Sequence, residues 1–158
     1  MSPSEPSADI RMINVGGKPI TVRTARASGR LIATTDTVAQ IRSGGLAKGD
    51  PLATARVAGI MAAKRTSEIV PLCHPLPLDS IRVRFDFSEP GSVGIEAEVQ
   101  ATAKTGVEME ALVAVTAAGL CLYDMAKSID PAMTLTSVQL EEKHGGIRGD
   151  YVRGASPP

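Results

Sequence analysis

The feature that most constrains the fold is a long apolar segment, residues 104–127, that carries charge only at its two ends. Its middle, residues 111–123, contains no charged side chain, so a helix there would be buried on nearly every side. Charged groups at the ends of a buried helix are costly unless they are paired or used. Both ends of this helix are therefore candidate chemical sites. The charged residues at its two ends are Lys104, Glu108, Glu110, Asp124 and Lys127.

Composition limits the classes of function. The 158 residues fit one domain, and we expect a disordered leader over residues 1–10, one ordered domain over 11–153 and a flexible tail over 154–158. The 17 basic and 17 acidic residues balance, and aromatic residues are few, which argues against nucleic-acid binding. Two cysteines make no disulfide framework, and charges interrupt each apolar run before it reaches membrane-spanning length. We therefore expect a soluble, cytoplasmic protein that binds no membrane.

Hydrophobic periodicity and turn residues predict strands interleaved with helices. Asp50 and Pro51 suit the N-cap and first position of a helix that runs to about residue 69. Residues 81–87 and 93–103 alternate apolar with charged side chains on either side of a turn, which indicates an antiparallel hairpin. The other predicted elements are strands over residues 11–15, 20–27 and 133–142 and a short helix over residues 35–42. This order favours an α+β fold with helices on one face of the sheet.

Candidate ligands for an anion lie on either side of the helix predicted to begin at Asp50. Lys48 lies just before the N-cap, where the helix dipole favours an anion, although a solvated loop lysine is the ordinary explanation. Cys73 and His74 lie in a proline-rich loop without the spacing of a zinc site. We expect Cys73 to be an inert thiol and His74 to donate to a phosphate. A rival interpretation makes Cys73 a thiol nucleophile with His74 as its base.

The two ends of the apolar helix predict different roles. Carboxylates in the first turn stabilise the helix dipole, which by itself explains at least one of Glu108 and Glu110. Asp124 and Lys127 are helical neighbours, either as an ordinary ion pair or as a partly buried pair with acid–base function, and we favour partial burial. Glu110 precedes Asp124 by 14 residues. At the helical rise this is about 21 Å, so one small reaction centre in one subunit cannot contact both. Either the two acids serve different parts of a long substrate, or two subunits bring opposite ends of their helices together, and we favour a site shared across a symmetric interface.

The glycine-rich segment over residues 143–150 can present backbone amides and basic side chains to a phosphate. It matches no P-loop, because the Gly-Lys-Ser/Thr sequence and the following helix are missing. The segment therefore predicts an anion site of another kind, to which Lys143 would contribute.

Four segments, in this order, resemble the cyclic pyranopterin monophosphate synthases, the C proteins of molybdenum cofactor biosynthesis: KGDPLATARVAGIMAAKRTSEIVPLCHPLPL, KTGVEMEAL, LYDMAK and KHGGIRGDY. The resemblance extends over residues 11–152. It implies a ferredoxin-like α+β subunit in a homohexamer, a trimer of dimers, with active sites at subunit interfaces. It also implies a lyase that converts the GTP-derived 3′,8-cyclo-7,8-dihydro-GTP to cyclic pyranopterin monophosphate and releases pyrophosphate. No cofactor is implied, and a role for Mg²⁺ through the triphosphate is open.

Carried over motif by motif, the resemblance assigns roles to single residues. The catalytic residues would be Asp124, Lys127 and Lys48, as acid–base partners in ring opening and reclosure. No metal ligand is implied. The substrate-binding residues would be Leu72, Cys73, His74, Met109, Glu110, Lys143 and Lys64.

The glycine-rich segment departs from the family pattern. The family usually carries K-S-G-G-K-S-G-D, whereas this chain has His144, Ile147 and Arg148. The loss of the second lysine to Ile147 would weaken one phosphate contact, and Arg148 could compensate. The alternative to an enzyme is an oligomeric nucleotide- or anion-binding protein without catalysis.

Overall fold

A computed structural model describes residues 9–155 of the chain. The expected leader and tail lie largely outside these residues. The helices are α1 (Thr35–Ser43), α2 (Pro51–Ala63), α3 (Thr66–Ile69) and α4 (Glu108–Ala126). The strands are β1 (Thr21–Ile32), β2 (Leu78–Asp86), β3 (Ser92–Ala103), β4 (Thr134–His144) and β5 (Tyr151–Val152).

The five strands form one antiparallel sheet in the order β2-β3-β1-β4-β5. The chain order of the first four strands and the helices between them is βαββαβ, the ferredoxin-like arrangement. Helices α2 and α4 pack on one face of the sheet. The prediction of an α+β fold with helices on one sheet face is confirmed.

The central strand β1 shows how the sequence separates the two faces of the sheet. Its residues alternate, with Ala25, Ala27 and Leu31 buried against the helices. Arg26, on the opposite face, bridges Glu96 of β3 and Glu142 of β4 at 2.9 and 3.0 Å. The open face is therefore joined by ion pairs across three strands, while apolar contacts hold the other face.

Helix α4 is the core helix of the fold. It packs against α2, β1, β3 and β4, and its buried positions include Val115, Ala118 and Leu122. By length and composition alone it could cross a membrane, contrary to the expectation that no apolar run is long enough. Half of it is buried inside the protein, which is typical of a core helix.

Local chemistry explains where the predicted elements begin and end. Asp50 accepts hydrogen bonds from the amides of Leu52 and Ala53, which confirms it as the N-cap of α2. The helix stops at Ala63 instead of continuing to residue 69, because the Thr66 hydroxyl donates to the Ala63 carbonyl and a separate short helix begins there. The strand predicted over residues 11–15 is wrong: these residues form no strand, and the Val15 carbonyl accepts the Lys18 amide in a turn at 3.0 Å.

Gly59 permits the close approach of α2 and α4. A methyl group added at Gly59 would lie 2.9 Å from the Ala114 carbonyl oxygen and 3.2 Å from Val83 Cγ2. The first of these atoms belongs to the backbone of α4, so it cannot move aside without shifting the helix. The spacing of the two helices therefore depends on this glycine.

We expect Gly59→Ala to lower the free energy of unfolding by about 1–2 kcal/mol, because overpacking outweighs the gain in helix propensity. Urea unfolding monitored by circular dichroism would measure the change. Gly91→Ala is the matched control, since its methyl group would meet only the Ala33 carbonyl at 3.7 Å. Equal stability of the two variants would contradict this account of the helix contact.

Candidate active site at the two ends of helix α4

Three charged side chains meet at the C-terminal end of α4: Lys48, Asp124 and Lys127. They are here called the Asp124 cluster. Lys127 Nζ lies 2.7 Å from Asp124 Oδ1, and Lys48 Nζ lies 2.7 Å from Asp124 Oδ2. Lys48 comes from the loop before α2, two residues before Asp50, the N-cap of that helix. The structure thus brings together the three residues predicted to be catalytic.

The Asp124 cluster is exposed, and the expectation of partial burial was wrong for this protomer. The side chains of Lys48, Asp124 and Lys127 are 51%, 53% and 53% exposed. The reason is helical periodicity, because Leu120, Asp124 and Lys127 share the stripe that faces away from the core. Leu120 is itself 58% exposed. This end of α4 therefore presents charge beside an uncovered apolar side chain.

The two lysines set the protonation state of the cluster. Hydrogen bonds from Lys127 and then Lys48 lower the pKa of Asp124 to about 2. The same contact with Asp124 raises the pKa of Lys127. At neutral pH the cluster therefore holds an Asp124 carboxylate beside a protonated Lys127, and Lys127 is the proton donor that it offers.

The opposite end of α4 opens into a cavity of about 410 Å³, here called the N-terminal cavity. Its walls are the first turn of α4, the proline-rich loop before β2, and the segment between β4 and β5. Six of the predicted substrate-binding residues line it: Leu72, Cys73, His74, Met109, Glu110 and Lys143. The seventh, Lys64, lines an adjoining cavity of about 220 Å³ that it shares with His74 and Glu110.

Glu110 is the buried acid of the N-terminal cavity, with 4% of its surface exposed. Burial raises its pKa to about 7; the nearby Glu108 charge adds to this, and a backbone hydrogen bond partly offsets it. Glu108 instead pairs with Lys143 at 2.9 Å. Glu110 can therefore accept or donate a hydrogen bond near neutral pH, as recognition of a heterocycle requires.

The surroundings of Cys73 do not favour a nucleophile. Burial raises the pKa of its thiol, and the charges of Glu110 and Glu108 raise it further. A nucleophilic cysteine needs the thiolate form, which positive neighbours stabilise. The environment is thus the opposite of the one that the rival thiol mechanism requires.

Sequence reasoning missed Arg23, a further cation in the N-terminal cavity. Arg23 is 5% exposed, and its Nη2 donates to the Lys104 carbonyl at 3.2 Å. Its Nε has no hydrogen-bond partner among residues 9–155. The available signal was its position, because Arg23 shares the core-facing side of β1 with Ala25 and Ala27. A charged side chain on that face is costly unless something uses it.

The cavity also contains residues from the chain before β1. Lys18 lines it together with Ile13 and Val15. Periodicity could not show this, because these residues form no regular element. Among residues 9–155, no three His, Cys, Asp or Glu side chains are grouped so that they could hold a metal ion.

The raised pKa of Glu110 predicts a pH-dependent stability. Its pKa is about 7 in the folded chain, against about 4.3 for an ordinary glutamate. Between these values the folded state binds more protons than the unfolded state, so stability falls as pH rises. We expect the free energy of unfolding of the wild type to fall relative to Glu110→Gln from about pH 5 to pH 8.

Chemical unfolding across this pH range would measure the difference. Glu108→Gln is the control, since it removes the neighbouring charge and leaves Glu110 free to titrate. Parallel pH profiles for the wild type and Glu110→Gln would show that Glu110 does not titrate in this way.

Comparison with known proteins identifies the family of the chain. The MoaC family profile matches residues 12–146. A cyclic pyranopterin monophosphate synthase of Desulfitobacterium hafniense is 49% identical over 143 residues, covering 90% of this chain and 88% of the relative. Cyclic pyranopterin monophosphate synthase 1 of Mycobacterium tuberculosis is 50% identical over 146 residues, covering 92% and 86%. A synthase of Streptomyces avermitilis is 49% identical, covering 90% and 84%. The chain belongs to the MoaC family.

Proposed function

We propose that this protein is a cyclic pyranopterin monophosphate synthase of molybdenum cofactor biosynthesis. It is a lyase that converts 3′,8-cyclo-7,8-dihydro-GTP to cyclic pyranopterin monophosphate and releases pyrophosphate. The observation that carries the proposal is that one cavity joins a buried acid, Glu110, to the cations Arg23 and Lys143 and to His74. The names of relatives about 50% identical to the chain support the same activity.

The N-terminal cavity suits a charged, GTP-derived substrate. Glu110, close to half protonated at neutral pH, pairs with the N–H and carbonyl groups of the ring. The cations around it receive the triphosphate, and Arg23, which lines the cavity, adds a buried guanidinium charge. No resident cofactor is proposed, and any Mg²⁺ would arrive with the triphosphate.

The chemistry divides between proton transfer and phosphoryl transfer. Opening and reclosing the purine-derived ring moves protons, for which Lys127 and Lys48 act as acid and base while Asp124 fixes their positions. In the second part, a substrate hydroxyl attacks the α-phosphorus and loses its proton to water, while the bond between the α-phosphorus and the oxygen that bridges to the β-phosphorus breaks. Pyrophosphate leaves with the electron pair, and the cations of the cavity stabilise the developing charge.

The active assembly is proposed to be a cytoplasmic homohexamer, a trimer of dimers, with each site shared between two subunits. In one protomer, Glu110 and Asp124 are separated by 14 helical residues, about 21 Å. The exposed Asp124 cluster beside Leu120 suits burial against another subunit. A site of this kind takes the N-terminal cavity from one subunit and the Asp124 cluster from its partner.

Pyrophosphate release from the cyclised GTP intermediate tests the activity. We expect release by the wild type and a loss of at least about 100-fold in Lys48→Ala and Asp124→Asn, since the first removes an acid–base group and the second the carboxylate that positions both lysines. Size-exclusion chromatography with light scattering would verify that each variant assembles. Asp36→Asn, an exposed change on α1, is the control. Absence of release from assembled wild type would favour the non-catalytic anion-binding protein.

Mixing of variants tests the shared site separately. Glu110→Gln disables the N-terminal cavity and Asp124→Asn disables the cluster, so each homo-oligomer is inactive. After co-refolding in equal amounts, we expect about a quarter of wild-type activity. In that fraction of sites, the intact cavity comes from an Asp124→Asn subunit and the intact cluster from a Glu110→Gln subunit. Two copies of the same variant, treated identically, are the control. Activity that never exceeds theirs would mean that each site lies within one subunit.

A further inference from the structure

An ion pair closes the base of the glycine-rich segment that lines the N-terminal cavity. His144 Nδ1 lies 3.0 Å from Asp150 Oδ2, and the Gly145 amide donates to Asp150 Oδ1 at 3.3 Å. The Asp150 carboxylate, at the C-terminal end of the segment, thus contacts both His144 and Gly145 near its N-terminal end. His144 is one of the residues at which this chain departs from the family pattern.

The segment between these two residues has an unusual backbone. Gly145 and Gly149 have φ values of 87° and 84°, which other residues rarely adopt. A methyl group at Gly145 would lie 1.9 Å from the Val22 carbonyl oxygen, so the segment presses directly on β1. Its other contacts to the body of the protein include one hydrogen bond, from the Thr21 hydroxyl to the Gly145 carbonyl at 2.8 Å.

The position of this segment matters because it forms one wall of the cavity. Gly146, Ile147, Arg148 and Gly149 all line the cavity, opposite the first turn of α4. Arg148 carries the only formal charge among residues 145–149. A small displacement of the segment would therefore move a guanidinium and several amides relative to a bound anion.

We propose that His144 and Asp150 are positioning residues that hold residues 145–149 against β1, and so place Arg148 and the segment amides for the anionic end of the substrate. The proposal rests on the proposed function, because it concerns binding of the same substrate. Neither residue takes part in bond breaking. Their effect is on substrate binding, and it comes through the segment.

Protonation of His144 controls the strength of this ion pair. Its charged neighbours are Asp150 on the segment and Glu142 on β4, 3.8 Å from Nε2; Arg26 on β1 faces Glu142 in turn. Asp150 first and Glu142 second raise the pKa of His144. The attraction is therefore complete below the ordinary histidine pKa and is lost as pH rises through the raised value. The neighbouring strand β5 contributes one further titratable side chain, Tyr151.

The experiment compares the wild type with His144→Ser, which removes the pair, and His144→Gln, which retains a donor without charge. We expect KM for the cyclised GTP intermediate to rise about threefold in His144→Ser at pH 6.5, with kcat nearly unchanged, as suits an exposed ion pair. The ratio of the two KM values should approach one at pH 9. The ratio cancels titration of Glu110 and of the substrate phosphates, which both proteins share.

Hydrogen–deuterium exchange supplies a readout that requires no activity. At one pH, we expect amides of residues 145–149 to exchange faster in His144→Ser and Asp150→Asn than in the wild type, with His144→Gln intermediate. Arg30→Gln is the matched control, since it breaks the exposed Arg30–Glu89 ion pair elsewhere on the protein. It should leave both exchange in the segment and KM unchanged.

The outcomes are separable. Faster exchange together with a KM effect supports the proposal. Unchanged exchange in both His144→Ser and Asp150→Asn overturns it, even if the enzyme is active. A fall in kcat at constant KM also overturns it, because His144 would then act in the chemistry. Absence of activity in every protein, the wild type included, would contradict the proposed function; the exchange result would still decide whether this ion pair holds the segment.

Discussion

Burial of α4 is the constraint on which the rest of the structure depends. The helix packs against α2 and three strands, so its charged residues can lie only where it leaves the core. These positions are the two opposite ends of the helix. Each end therefore gathers its own partners: Lys48 reaches Asp124 at one, and Lys143 reaches Glu108 at the other. The distribution of chemistry in this subunit follows from packing, before any substrate is considered.

The two ends of α4 place their acids in opposite environments. Asp124 is exposed and lies between two lysine side chains, whose hydrogen bonds lower its pKa to about 2. Glu110 is buried beside another acid, and its pKa rises to about 7. A permanently ionised carboxylate suits the orientation of lysines, whereas a carboxyl near half protonation suits recognition of a ring that both donates and accepts. One helix thus carries a carboxylate that stays ionised near neutral pH, Asp124, and one whose charge changes with pH in that range, Glu110.

Much of this arrangement could be predicted from the sequence, for identifiable reasons. Asp50–Pro51 marked the start of α2 and the alternation in residues 81–103 marked the hairpin, because both signals are local. Exposure of the Asp124 cluster was not predicted, since a lightly charged helix gave no indication of which stripe faced solvent. Lys18 was missed because nonlocal packing alone brings it to the cavity. Arg23 could have been found, since its place in the alternation of β1 put a charge among core alanines.

The placement of Arg23 has a consequence for the lifetime of the protein. The fold holds a buried guanidinium whose Nε meets no acceptor among residues 9–155, and that arrangement lowers the stability of the folded chain. An anion bound in the cavity that Arg23 lines would stabilise only the folded state, so occupancy of the cavity and resistance to unfolding would rise together. Abundant substrate would then protect the enzyme from proteolysis, and scarcity would hasten its removal. The supply of precursor would thereby adjust the amount of enzyme without a dedicated regulator.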